Sequence, residues 1–274
     1  MKTLYVSDLD GTLLRSDQKT SAYTNAVINR LVEQGVCFSY ATARSIHTAK
    51  KATHGMEAAF PLIVYNGAFI VDNQTEEILY SHFFEEEEAR EILNALLEKG
   101  VQPIVYGFYD GKEQMRYIRH RMHPEGRAFM DTRKGDLRDT PVETEKALGA
   151  GKVFYFTCID EEEKLAPLHA CFGEKYRCVY ARDIYSDAQW LEIMPKKATK
   201  AHAIGRLKEM LGCDKVVSFG DGVNDMDMFR ISDECYAVEN GVPELKNMAT
   251  AVIGGNDEDG VARFLADRLG RRDQ

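Results

Sequence analysis

Two aspartates one residue apart, Asp8 and Asp10, follow an apolar run in LYVSDLDGTLL (4–14). Read as a strand, this pattern sets both carboxylates on one side, because residues i and i+2 share a face. Like charges so placed repel, and beside a core they are costly. A shared proton or a cation has to offset them. A hard cation with oxygen ligands, such as Mg2+, suits two carboxylates and a strand-end backbone, and a third carboxylate should then come from another strand end. GDGVND (220–225) supplies Asp221 and Asp225, with Gly220 and Gly222 to let the backbone turn tightly. With such a cation present, one aspartate can attack phosphorus, since the positive groups screen the repulsion between anions. Another can act as acid toward the leaving oxygen and then as base toward water. Phosphoryl transfer also needs donors for the non-bridging oxygens. The Thr42 hydroxyl and backbone N–H groups of ATAR (41–44), the Lys200 ammonium, and the amides of Asn224 and Asn66 offer them. Asn66 in YNG reads equally well as a turn residue. Asn240 in ENG reads as a turn residue and is not counted in the site.

These residues need elements that bring them together. LYVSDLDG (4–11), VCFSYATAR (36–44), LIVYNGA (62–68) and VVSFGDGVND (216–225) share one pattern, an apolar run ending abruptly in small or polar residues. Near-continuous apolar runs are strands covered on both faces, as in parallel sheets. Helical patterns lie between some of them. Ala22, Ala26, Ile28, Leu31 and Val32 fit one face imperfectly, whereas Ala203, Ile204, Leu207 and Leu211 fit one well, with Gly212 as a stop. The alternation predicts a doubly wound, Rossmann-like α/β sheet, with ligands beyond the carboxyl ends of its strands.

The middle of the chain reads differently. EEEEAREILNALLEK (85–99) is an amphipathic helix with a stripe of Ala89, Ile92, Leu93, Leu96 and Leu97, and its glutamates sit where the helix dipole favours them. Strand-like stretches follow at 101–109, 113–120, 152–159, 176–182 and 189–194, with a second helix pattern on Leu165, Leu168, His169 and Phe172. The prediction is an α+β domain over 82–188, inserted between core halves 1–81 and 189–274. RYIRHRMHPEGR (116–127) is its basic segment. It reads first as a solvated hairpin and loop, with contact to a second anionic group of a substrate as the functional alternative. His120 and His123 lack a completing ligand set for a metal.

The bulk numbers exclude several classes. The chain has 274 residues, 44% hydrophobic and 29% charged, with a net charge of −9. That balance disfavours nucleic-acid binding, which relies on a positive footprint, but allows a small anionic substrate in a local positive pocket. Six cysteines form no C-x-x-C pair and read as reduced, structural thiols. The N-terminus reaches acidic residues too early for a signal peptide, and no apolar run approaches the roughly 18 residues of a membrane span. The expectation is a cytoplasmic protein without a nucleic-acid, membrane or obligate protein partner.

DLDGTLL, Thr42 in ATAR, YNGA, Lys200 and GDGVNDMDM stand in the order and spacing of the haloacid dehalogenase superfamily. The chain resembles its Cof-type phosphatases with a type IIB cap, over nearly its whole length, and VENGVPELK (238–246) and NDEDGVARFL (256–265) resemble that family's closing segments. The resemblance implies Asp8 as the nucleophile that forms an aspartyl-phosphate. It implies Asp10 as general acid/base, with its backbone carbonyl on Mg2+. Asp8 and Asp221 would be the carboxylate ligands, and Asp225 a partner behind those ligands or one that reaches the ion through water. Thr42, Ala43, Lys200, Asn224 and the backbone of Leu9 would hold the phosphate, and the inserted domain would be the cap that selects the substrate. Two positions depart from the family, Ala43 and Ala201, where it usually has glycine. If those backbones need positive φ, each alanine costs on the order of 1 kcal/mol. The function implied is a Mg2+-dependent phosphatase for a small phosphorylated metabolite such as a sugar phosphate. A sugar phosphomutase on the same fold differs by isomerised product in place of inorganic phosphate. A non-catalytic phosphometabolite-binding regulator would not need the intact nucleophile.

Overall fold

The computed structural model describes residues 1–182 and 188–270. Residues 183–187, in the last part of the expected insert, and 271–274 lie outside the described residues. In chain order the first elements are β1 (Thr3–Ser7), α1 (Ala22–Glu33), β2 (Cys37–Tyr40), α2 (Ile46–Ala52), β3 (Pro61–Val64), β4 (Phe69–Asp72) and β5 (Ile78–Ser81). Then come α3 (Glu86–Glu98), β6 (Ile104–Tyr109), β7 (Lys112–Tyr117), α4 (Pro124–Asp131), β8 (Asp139–Pro141), α5 (Glu145–Leu148), β9 (Lys152–Asp160), α6 (Glu162–Phe172), β10 (Arg177–Arg182) and β11 (Gln189–Met194). The chain closes with α7 (Lys200–Met210), β12 (Lys215–Gly220), α8 (Met226–Arg230), β13 (Glu234–Val238), α9 (Pro243–Met248), β14 (Ala251–Ile253) and α10 (Gly260–Gly270).

Two compact units result, Met1–Ser81 together with the chain from Ala198 onward, and His82–Lys197. The first holds a parallel sheet in the order β14-β13-β12-β1-β2. From β1 the chain winds one way to β2, and from β12 it winds the other way to β13 and β14. The switch point therefore lies between the carboxyl ends of β1 and β12, where open α/β sheets bind ligands. Leu4, Val6, Val216, Ala237, Ala203, Ile204 and Leu207 are among the buried residues that join this sheet to α7. α1 starts on a Ser21 cap that accepts the Thr24 N–H. It buries Thr24, Val27, Ile28 and Leu31, so Ile28 and Leu31 of the expected stripe face the core while Ala22 and Ala26 are exposed.

LIVYNGA is not a member of the five-stranded sheet. β3 pairs antiparallel with β4, in a sheet β3-β4-β5, and meets β2 through the Ala41–Ile63 bridge and the Ser39 hydroxyl, which donates to the Pro61 carbonyl at 2.7 Å. The reason is local: β2 ends at Tyr40, and the turn at 65–67 sends the chain straight back along β3.

The second unit has a sheet in the order β10-β11-β9-β6-β7-β8, covered on one face by α3 and α6 through Ile92, Leu96, Leu165, Leu168 and Phe156. QWLEIM lies in this sheet as β11, between β10 and β9, so the unit ends after Lys197 and not at 188. An alternately buried strand carries no mark of which sheet it joins. The basic segment is held within this unit. Arg119 pairs with Asp131 and Arg121 with Glu145, Arg116 lies over the Tyr109 ring, and His123 meets Glu161. These partners favour the structural reading of that segment over substrate contact.

One ion pair ties α10 to β13. Both Arg268 terminal nitrogens donate to Glu234, at 2.6 and 2.9 Å, and the Tyr236 hydroxyl adds a bond at 2.6 Å. Together they pull Glu234 down from an ordinary 4.5 to about 2. A depressed carboxyl pKa contributes stability above its unfolded value that is lost as pH falls through the folded value. Glu234→Gln should therefore lower stability at neutral pH by about 1 kcal/mol, after discount for partial exposure. Urea melts at successive pH values should show that gap closing between pH 4.5 and about 2.

Candidate active site

β1 ends at Ser7, and the Asp8 N–H continues its ladder by donating to the Phe219 carbonyl at 2.9 Å. The chain then leaves the strand. Leu9–Leu13 forms a wide turn closed by the Leu14 N–H on the Leu9 carbonyl at 2.8 Å, with Gly11 at φ +77°. The same-face argument for Asp8 and Asp10 thus fails, because strand periodicity has already ended. Asp8 is buried, whereas the Asp10 side chain is 52% exposed. Gly11 is obligatory for a second reason, since a Cβ there would lie 2.4 Å from Asp221 Oδ2.

Lys200 is the first residue of α7, whose Thr199 cap accepts the His202 N–H. Its ammonium, 2% exposed, donates to Asp8 Oδ1 at 2.5 Å and to Asp225 Oδ1 at 2.8 Å. The other Asp225 oxygen accepts the N–H groups of Asp221 and Gly222. Asp221 is oriented by the Thr12 hydroxyl at 2.9 Å. Asp8, Asp221 and Asp225 each offer one oxygen within 4.8 Å of the others.

Three carboxylates around one ammonium leave two negative charges in excess. Burial pushes the Asp8 carboxyl up; Lys200 opposes this and Asp225 adds to it, and the net direction is upward. Burial also raises Asp221, against the Thr12 bond. For Lys200, burial alone would push the ammonium down, but Asp8 and Asp225 reverse that and hold it above its ordinary value. An all-oxygen donor set short of two positive charges fits a divalent hard cation. Asp10 is not in this cluster through its carboxylate.

The phosphate-binding candidates divide. Thr42 is buried, and its hydroxyl accepts the Arg44 N–H at 3.1 Å, while its own N–H is committed to the Ile63 carbonyl. Ala43 is exposed beside it. Neither Ala43 nor Ala201 has positive φ, so replacing glycine there brings no backbone strain. Asn66 is buried at φ +54° in the turn at 65–67, and its N–H donates to the Thr42 carbonyl at 2.8 Å. Gly67 lets that turn lie against α7, since a Cβ there would meet the Thr199 carbonyl oxygen at 2.2 Å. The turn thus links the Thr42 loop to the start of the Lys200 helix, which makes its structural role plain. Leu9 is fully buried in the wide turn. Asn224 is exposed, its side-chain oxygen folded over Gly222.

Sequence reasoning missed Arg44. Its Nε donates to Asp10 Oδ2 at 2.8 Å and its Nη2 to Oδ1 at 2.5 Å, a two-pronged grip that fixes an otherwise exposed carboxylate. The Arg44 carbonyl also accepts the Tyr65 N–H. The available signal was a cation two residues after Thr42, in the same strand-end loop. Thr12 was missed as well, because its partner Asp221 is 209 residues away.

A profile of haloacid dehalogenase-like hydrolases matches residues 5–265. A Haemophilus influenzae relative is 29% identical over 96% of this chain and 97% of its own. The Bacillus subtilis 5-amino-6-(5-phospho-D-ribitylamino)uracil phosphatase YwtE is 25% identical over 96% of each chain. The solved HAD subclass IIB sugar phosphatase BT4131 shares the fold, with a TM-score of 0.70 at 20% identity over 98% of this chain and 99% of that one. By the match that runs from β1 into α10, this chain belongs to the haloacid dehalogenase-like hydrolase family.

Proposed function

We propose that the protein is a Mg2+-dependent phosphatase that hydrolyses small phosphomonoesters through an aspartyl-phosphate on Asp8. The observation that carries this reading is the contrast in the surroundings of the two aspartates. Asp8 is buried against Lys200 within a carboxylate cluster short of two positive charges, while Asp10 stands outside it in the grip of Arg44. The carboxylates of Asp8 and Asp221 and the Asp10 backbone carbonyl would hold the cation, with Asp225 as an outer partner. Mg2+ would supply positive charge that keeps Asp8 ionised beside an incoming phosphate.

Asp10 would first leave Arg44 and take up a proton from solvent; an Asp8 oxygen then attacks phosphorus in line, and the ester oxygen departs as it takes that proton from Asp10. Asp10, now a carboxylate, removes a proton from water. That water attacks phosphorus, the acyl-phosphate P–O bond breaks, and Asp8 and inorganic phosphate are released. Lys200, the Thr42 hydroxyl, Asn224 and backbone N–H groups near Leu9 and Ala43 would bind the non-bridging oxygens. Residues 82–197 would act as the cap that selects the leaving group.

The test is inorganic phosphate release from a panel of sugar phosphates, flavin and pyridoxal phosphates, nucleotides and 5-amino-6-(5-phospho-D-ribitylamino)uracil, with Mg2+ and with chelator. Release from at least one compound that stops in chelator is the expected result. Isomerised product without release would make the protein a mutase, and a folded protein that turns over nothing would make it a binder.

A further inference from the structure

Asn240 follows β13 in a turn closed by the Gly241 N–H on the Val238 carbonyl at 2.9 Å. Its side chain does more than close that turn. Nδ2 donates to the Gly11 carbonyl at 2.7 Å, and Oδ1 accepts the Asn256 N–H at 3.0 Å. The Asn256 side chain in turn donates to the Leu14 carbonyl at 2.9 Å. Two linked amides thus hold the middle and the end of the wide turn that begins one residue after Asp8. The residue after next grips the other side of the cluster, where the Val242 N–H donates to the Asp221 carbonyl at 2.8 Å.

The Gly11 carbonyl is a sensitive place to hold. Gly11 follows Asp10, whose own carbonyl is a candidate cation ligand, and precedes Thr12, whose hydroxyl orients the Asp221 carboxylate. A glycine at φ +77° has little intrinsic preference to stay there, so its orientation depends on partners such as Asn240. Asn240 is exposed, so losing its side chain removes almost no apolar packing. What is lost is the orientation of the peptides between Asp10 and Thr12.

We infer that Asn240 is a positioning residue of the cation site, acting through Gly11 and Thr12 on the Asp10 carbonyl and the Asp221 carboxylate. The inference rests on the phosphatase reading above. Asn240→Asp tests it well: it keeps the size and the acceptor for Asn256, but turns the donor to Gly11 into an oxygen that repels the carbonyl. Asn240→Ala removes both bonds without adding charge.

Titration calorimetry of metal-stripped protein with Mg2+ is the primary readout. Both variants should bind Mg2+ about ten-fold more weakly, the size typical of lost outer-shell partners. At saturating Mg2+, kcat should fall by about the same factor with KM little changed, and the Tm in chelator should stay within about 3 °C of wild type. Wild-type Mg2+ affinity and kcat in both variants, with or without a lower Tm, would overturn the inference alone. A wild-type protein that binds no Mg2+ would overturn the phosphatase reading together with it.

Discussion

Asp8→Asn should lower phosphate release by about ten-thousand-fold or more, the scale of losing a nucleophile, while the protein stays folded. Asparagine has the same shape, and its oxygen can still accept the Lys200 hydrogen bond now made at 2.5 Å. What it lacks is the anionic oxygen that would form the bond to phosphorus. The substitution also takes one negative charge out of a group that has two too many. Burial and the neighbouring Asp225 raise the Asp8 pKa, which means that ionising Asp8 in the folded protein costs free energy. In chelator at neutral pH, the variant should therefore melt at the wild-type temperature or above it. Added Mg2+ should stabilise it less than it stabilises wild type, because one of the proposed carboxylate ligands would be missing. Phosphate release and paired melts check all three outcomes. Turnover near the wild-type rate would remove Asp8 from the nucleophile's role and leave the cluster to be explained as structure.

The residues at strand ends were legible because burial and chemistry agree there. Apolar runs broken by aspartate are expensive unless the polar group has a partner, and Asp8, Asp221 and Asp225 come together, with Lys200 from the start of α7 bonded to Asp8 and Asp225. Thr42 lies just past the end of β2, where its hydroxyl accepts the Arg44 N–H. The spatial relation of Asp8 to Asp10 was not legible, because strand periodicity holds only while the strand lasts, and β1 stops at Ser7. Arg44 and Asn240 lay beyond reach for a different reason. Each acts on residues far away in the chain, Arg44 on Asp10 across 34 residues and Asn240 on Gly11 across 229. Local pattern can place Arg44 in the strand-end loop, but it does not name the distant partner of either residue. The arginines at 119 and 121 show the converse, since a run of like charge says nothing of the acids, Asp131 and Glu145, that meet it.

Lys200→Met should have the opposite effect on stability and nearly as large an effect on activity. Methionine keeps an unbranched chain of similar reach but leaves Asp8, Asp221 and Asp225 with no cation among them. Lys200 and Asp225 are almost fully buried, so water cannot replace the lost partner. Breaking a buried ion pair from one side costs about 3–5 kcal/mol, and the variant should lose that much stability in chelator. A divalent cation supplies the missing charge from outside the chain, so Mg2+ should restore part of the loss and raise the melting temperature more than it does in wild type. Activity should not return with stability. In the proposed mechanism the ammonium would donate to the phosphate oxygens in both ground and transition states, so kcat/KM should fall by about 10²–10³-fold even at saturating Mg2+, with KM rising as kcat falls. Melts with and without Mg2+, beside steady-state kinetics, separate these outcomes. A variant as stable as wild type in chelator would mean that the carboxylates do not share an excess of negative charge. The paired signs then decide the physical account: a loss of packing would lower stability in both Asp8→Asn and Lys200→Met, whereas a surplus of negative charge is relieved by the first and aggravated by the second.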